Sequence, residues 1–125
     1  MQTVWPALGL PPSNVVDGEA LKPASRWLLL SDTAGLFTTI HLAVGTRAVQ
    51  LWTAEATIWY ALDTIPTIPA VLSDLTIDPD DLAPGGVLLT NEFTTYVLPV
   101  DALAHTLYLV SETENVRVLV TALTP

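Results

Sequence analysis

The residues of this chain that could do chemistry are few. Two are histidines, His41 and His105, and both stand inside segments with strand-like alternation. A hydrolytic triad would need one of them beside a serine and an aspartate, and Ser31, Ser111, Asp32 and Asp101 are the nominal partners. No Gly-x-Ser-x-Gly elbow or other nucleophile motif accompanies them. Outward-pointing polar side chains between apolar neighbours account for both histidines, so no catalytic residue is assigned. Nor does the spacing of either histidine suggest a metal site with a carboxylate. Asp78, Asp80 and Asp81 could offer hard oxygen ligands to calcium, but there is no glycine at the sixth loop position and no glutamate at the twelfth, and Pro79 stiffens the turn. A solvated acidic turn, with Asp78 or Asp80 capping a short helix, is the simpler reading. Pro84-Gly85-Gly86 precedes a strand and lacks the Lys-Ser or Lys-Thr of a phosphate loop, so its glycines are expected to permit positive φ at a tight entry into Val87–Leu89. Cysteine is absent, which removes disulfides, thiolate metal sites and a cysteine nucleophile. No metal and no cofactor are expected.

The aromatic residues are the better functional hint. Trp52, Trp59, Tyr96 and Tyr108 each occupy the parity opposite a smoother set, Val49/Leu51, Ile58/Tyr60/Leu62, Thr95/Val97 and Leu107/Leu109 respectively. Neighbouring strands could gather them on one face. Such a face can stack on sugar rings, seal a protein interface or form the second half of a core. Polar groups around Trp52 and Trp59 are few, which favours an interface over glycan binding.

These residues must be positioned by strands. In Leu36–Val44, Thr38, Ile40, Leu42 and Val44 alternate with Phe37, Thr39, His41 and Ala43 at the period of two that marks a β-strand. The same pattern returns along the chain, and strands are predicted over 25–31, 36–44, 47–54, 56–63, 87–90, 93–98, 104–111 and 116–122. Gly45-Thr46, Thr53–Glu55, Asn91-Glu92 and Glu112–Asn115 read as hairpin turns between antiparallel neighbours. The connection from Asp63 to Gly86, rich in proline and aspartate, reads as the crossing between sheets, with one helical turn at Ala70–Leu75. The expected fold is all-β: an antiparallel β-sandwich or jelly-roll-like barrel of about eight short strands.

Residues 1–24 differ from the sandwich domain at 25–125. Pro6, Pro11, Pro12 and Pro23 forbid a continuous helix or a central strand, while Val4, Trp5, Leu8, Leu10, Val15 and Val16 are too apolar for a solvated linker. An extended arm lying on another surface satisfies both facts, as does an arm folded back on its own domain. Trp5 is the expected anchor, and removal of residues 1–20 is expected to leave a folded sandwich with weakened attachment to partners.

Composition points the same way. Half of the 125 residues are hydrophobic and only 14% are charged, against about 25% charged in ordinary soluble domains. A monomer of this make-up exposes apolar area, which favours coverage by partners or by copies of itself; a monomer surfaced with Thr, Ser and Ala is the alternative. Thirteen acidic residues face four bases, a net charge of -9. Lys22, Arg26, Arg47 and Arg117 are scattered, so neither nucleic acid nor an anionic membrane surface is an expected partner. No apolar run reaches the ~18 residues of a membrane span, and the amino terminus lacks the pattern of a secretory signal, so synthesis in the cytoplasm is expected.

Residues 36–123 resemble small β-sandwich structural proteins of tailed bacteriophage virions. The resemblance rests on Gly45–Leu51, Ala56–Leu62, Ala83–Leu89, His105–Val110 and Val116–Val120, a succession of strand types and turns. It implies a virion structural protein: a capsid decoration or cement protein bridging and stabilising neighbouring shell subunits, or a subunit of the head, neck or tail. The implied partners are the major capsid protein, other virion subunits and further copies of the chain, with Val4, Trp5, Leu8, Leu10, Trp52, Trp59, Tyr96 and Tyr108 as candidate interface residues. The resemblance carries over no catalytic residue. The alternative function is a carbohydrate- or receptor-binding module that uses the aromatic face.

Overall fold

The computed structural model describes residues 14–16, 18–69, 71–76 and 85–125. Ten strands form there: β1 (Val15–Val16), β2 (Glu19–Ala20), β3 (Lys22–Leu29), β4 (Thr38–Leu42), β5 (Ala48–Trp52), β6 (Ile58–Leu62), β7 (Gly85–Leu88), β8 (Phe93–Val97), β9 (His105–Ser111) and β10 (Arg117–Thr124). All ladders are antiparallel. Each of the eight predicted strands has its counterpart in β3–β10.

Two four-stranded sheets carry the domain, in the orders β3-β10-β5-β8 and β4-β9-β6-β7, and β1 and β2 form a separate hairpin. The pairings nest: β3 with β10, β4 with β9, β5 with β8 and β6 with β7. The chain is therefore one long antiparallel hairpin rolled over on itself, so that β10 also meets β5 and β9 also meets β6. This is the jelly-roll topology.

The nesting corrects two expectations. The predicted hairpin turns at Gly45-Thr46, Thr53–Glu55, Asn91-Glu92 and Glu112–Asn115 do not join paired neighbours; each carries the chain from one sheet to the other. These connections are four or five residues long, enough to cover the ~10 Å between packed sheets. Turn chemistry is present at the expected positions, with Gly45, Asn91 and Asn115 all at positive φ. The long connection after Asp63, expected to cross between sheets, instead joins β6 to β7 within one sheet and forms the tip of the rolled hairpin. Residues 71–76 of it hold no helical turn, and Ala70 lies outside the described residues.

The core sits between the sheets. Val49 and Leu51 of β5 and Val118 and Val120 of β10 face Ile58, Tyr60 and Leu62 of β6 and Leu107 and Leu109 of β9, and all nine are buried. Replacing one of these leucines by alanine costs roughly 2–5 kcal/mol. Strand β5 is buried on both faces, consistent with its central place.

The segment before β3 folds back on the domain. Val16 and Leu21 form a second small cluster with Ala48 and Leu123, and Glu19 accepts a 2.9 Å hydrogen bond from Arg47 Nη1. Strand β3 begins at Lys22, three residues before the predicted boundary, and includes Pro23. That proline is tolerated because β3 is an edge strand. Val4, Trp5, Leu8 and Leu10 lie outside the described residues, as do Asp78, Asp80 and Asp81.

Candidate functional site

The register assigns every side chain of the β3-β10-β5-β8 sheet to a face. Residues directly opposite share a face, and Leu28, Val118, Val120 and Leu51 mark the core side. The outer side therefore carries successive rows across the four strands. One row is Trp27, Leu119, Trp52 and Phe93. The next is polar, Ser25, Thr121, Gln50 and Thr95, and within it the Ser25 and Thr121 hydroxyls lie 2.8 Å apart. The third, Pro23, Leu123, Ala48 and Val97, is where the N-terminal hairpin packs, through Leu123 and Ala48.

The aromatic row is the first candidate site. Trp27 is 60% exposed, whereas Trp52 is only 6% exposed. Their rings meet edge to face, with centroids 6.3 Å apart and planes at 70°, and Trp52 and Phe93 stand 6.4 Å apart at 36°. Beside this corner the chain anchors two charges. The Thr53 hydroxyl donates to the Arg117 carbonyl at 2.7 Å and accepts from Glu55 N at 3.2 Å. Glu55 in turn accepts from the Arg117 backbone N–H and, at 3.0 Å, from its Nε. The backbone N–H, then the Arg117 side chain, hold the Glu55 carboxyl below its ordinary pKa. Trp27, Trp52, Ala54, Glu55 and Arg117 line a cleft of about 280 Å³. Trp52 Nε1 is a buried donor with no hydrogen-bond partner among the described residues, a defect that costs about 1–3 kcal/mol.

The four aromatics predicted to share a face are thus separated. Trp52 lies on the outer side of its sheet. Tyr96, opposite Val49, turns into the core and meets Tyr60 edge to face at 5.9 Å; burial raises its pKa. Trp59 and Tyr108 lie on the outer side of the other sheet, opposite Val110 and Ala61 respectively. There Tyr108 packs against Phe37 at 5.4 Å, and Trp59 lines a hollow with Pro66, Pro69, Gly86 and Val87 under the start of the tip connection. Alternation alone fixes parity within a strand but not which parity faces the core, and Tyr96 follows the parity opposite to Trp52. Trp27 and Phe93 were missed for the same reason: only the cross-strand register lines them up with Trp52.

Gly85 and Gly86 also differ from expectation. Neither has positive φ. A Cβ on Gly85 would come within 2.1 Å of the Tyr60 carbonyl oxygen, and one on Gly86 within 2.7 Å of the Tyr60 hydroxyl. Close approach to β6 is the reason for these glycines.

The second candidate is a charged cluster at the end of β6. Asp63, at φ 58°, accepts from His105 Nδ1 at 2.6 Å and from Thr106 N at 2.9 Å. Asp101 takes the other ring nitrogen, with Nε2 at 3.0 Å from Oδ1. The two carboxylates, Asp63 first, raise the His105 pKa. Both are themselves lowered, Asp63 chiefly by the Thr106 N–H and Asp101 chiefly by the Leu103 N–H, with His105 second in each case. An imidazole that meets a carboxylate at each nitrogen donates to both only as the imidazolium, and in that form it has no lone pair to act as a base. Of the nominal triad members only Asp101 and His105 meet. Ser111 Oγ donates to the Thr57 carbonyl, and Ser31 Oγ accepts from Thr33 N. Among the described residues His41 has only long contacts, 3.4 and 3.5 Å, with the Thr39 and Thr106 hydroxyls. Among the described residues no three His, Cys, Asp or Glu side chains are arranged to hold a metal ion, and no helix is long and apolar enough to cross a membrane.

No known protein family, curated protein or solved structure matches the chain.

Proposed function

We propose that the chain is a non-enzymatic structural subunit of a virion, a capsid decoration or cement protein that binds neighbouring shell subunits and copies of itself through apolar surface. One observation carries this reading. The connection at the hairpin tip, the strand it enters and the residue after that strand hold Ile65, Val71, Leu72, Leu75, Val87 and Leu89 exposed, Val71 completely so. Six of the fifteen large apolar side chains exposed among the described residues lie in this stretch, and exposed apolar surface of this kind favours contact with a partner. The net charge of -9 disfavours nucleic acid as that partner. Jelly rolls serve in viral shells and in lectins alike, so the fold is compatible with the reading without selecting it. His105 lies between two carboxylates, and the Ser31 and Ser111 hydroxyls are engaged elsewhere; both facts support a role without covalent chemistry.

The test is co-sedimentation of the full chain with shells of the major capsid protein from the same virus. The wild-type chain is expected to pellet with shells, and the double substitution Val71→Asp, Leu72→Asp to stay in solution with an unchanged melting temperature. A wild-type chain that remains monomeric and leaves shells undecorated overturns the reading.

A further inference from the structure

We infer that the cleft between Trp27 and Trp52 is a binding site for a neutral pyranose, a terminal ring of an uncharged oligosaccharide. This goes beyond the shell role and rests on a different surface.

A sugar ring is amphipathic, with a C–H face that stacks on an aromatic ring and a rim of hydroxyls that need hydrogen-bonding partners. The cleft offers both. Trp27 presents an exposed ring, held at 70° to the buried Trp52 that supports it. Arg117 and Glu55 stand on the same lining. The guanidinium spends its Nε on Glu55 while its side chain stays 69% exposed, so its remaining N–H donors can reach a ligand. The sequence reading finds few polar groups around Trp52; the corner after β5 and the start of β10 deliver two charged ones, Glu55 and Arg117, to its side.

Other occupants fit less well. A flat apolar protein partner would bury the Arg117–Glu55 pair and incur its desolvation, whereas hydroxyl groups can replace the water around it. An anionic ligand would meet an arginine already matched by Glu55, on a chain of net charge -9. The volume, about 280 Å³, is near the lower end for ligand clefts and suits a terminal ring. Trp52 Nε1 is covered in the free protein, so recognition rests on Trp27, Arg117 and Glu55.

The experiment screens the intact chain against an array of neutral and acidic oligosaccharides, then titrates the strongest neutral binder while following tryptophan emission. Expected are binding to neutral glycans with a blue shift as Trp27 is covered, a loss of at least about tenfold in affinity for Trp27→Ala, and a smaller loss for Arg117→Gln. Val100→Ser, at an exposed position away from the cleft residues, should bind as the parent does. Melting curves establish that each variant is folded; should Trp27→Ala unfold, Arg117→Gln and Trp27→Phe carry the comparison. No response to any neutral oligosaccharide at millimolar concentration, binding confined to acidic glycans, or equal affinity in folded Trp27 and Arg117 variants overturns the site. Shell co-sedimentation by Trp27→Ala stays at the parent level if the two surfaces are separate.

Discussion

At the scale of single residues, the His105 clamp makes the fold pH-dependent in a defined direction. Its side chain is 11% exposed and lies between Asp63 and Asp101. A raised histidine pKa contributes stability that is complete below the unfolded value and is lost as pH rises through the folded one. Lowered carboxyl pKa values contribute stability that is present above the unfolded values and is lost as pH falls through the folded ones. The two effects overlap between about pH 4 and pH 6.5. His105→Gln should therefore lower the melting temperature most in that window, with a gap from the parent that narrows as pH rises above about 6.5. Thermal unfolding on both sides of neutrality checks it, and a gap of equal size at both would remove the ionic role. Gly85 gives a second expectation. Gly85→Ala should destabilise by about 3 kcal/mol, at the upper end for overpacking, because the obstacle is the β6 backbone. Gly86→Ala should cost less, since the Tyr60 hydroxyl it meets can move, and Tyr60→Phe should relieve only the Gly86 variant. Denaturant melts of the four proteins separate these cases. Neither the clamp nor these glycine contacts is legible in the sequence: Asp63 and His105 are 42 residues apart, and the sequence offers Asp101 only as a nominal triad partner.

At the scale of elements, strand positions were legible because strands such as β9 and β10 turn alternate residues into the core and read with a period of two. Their pairing was not. A corner between sheets and a hairpin turn use the same residues, glycine and asparagine at positive φ, and differ only by the few residues needed to span the gap. Predicted strands that ran a residue or two too far, as 36–44 and 47–54 did against β4 and β5, turned the five-residue corner between them into a two-residue hairpin. The N-terminal region divides similarly. Val16 and Leu21 are bound to Ala48 and Leu123, separately from the main core, so their removal should cost stability without abolishing the fold. Leu21→Ala should destabilise by about 2 kcal/mol. Deletion of residues 1–20 should lower the melting temperature more than deletion of residues 1–13, because only the longer deletion removes Val16 and the Glu19 partner of Arg47. Equal melting temperatures for the two truncations would show that the hairpin adds nothing to the domain.

At the scale of the whole molecule, charge and apolar surface oppose each other in any assembly. Of the four bases, Arg47 and Arg117 are paired with Glu19 and Glu55, which leaves the acidic excess to act over the surface as a whole. Copies carrying -9 each repel at long range, and salt screens that repulsion over a Debye length of about 8 Å at physiological ionic strength. Apolar contacts such as those offered by Val71, Leu72 and Leu75 are not weakened by screening, and salts excluded from protein surfaces strengthen them. Self-association should therefore increase as salt is raised from about 0.01 M to about 1 M. An interface built on Lys22 or Arg26 and carboxylates would dissociate over the same range. Sedimentation velocity of the parent and of the Val71→Asp, Leu72→Asp variant across that series distinguishes the two. Association that grows with salt in the parent and is absent in the variant supports the apolar tip as the contact, whereas association that falls with salt places the contact at the basic edge of β3 and removes the tip from the account.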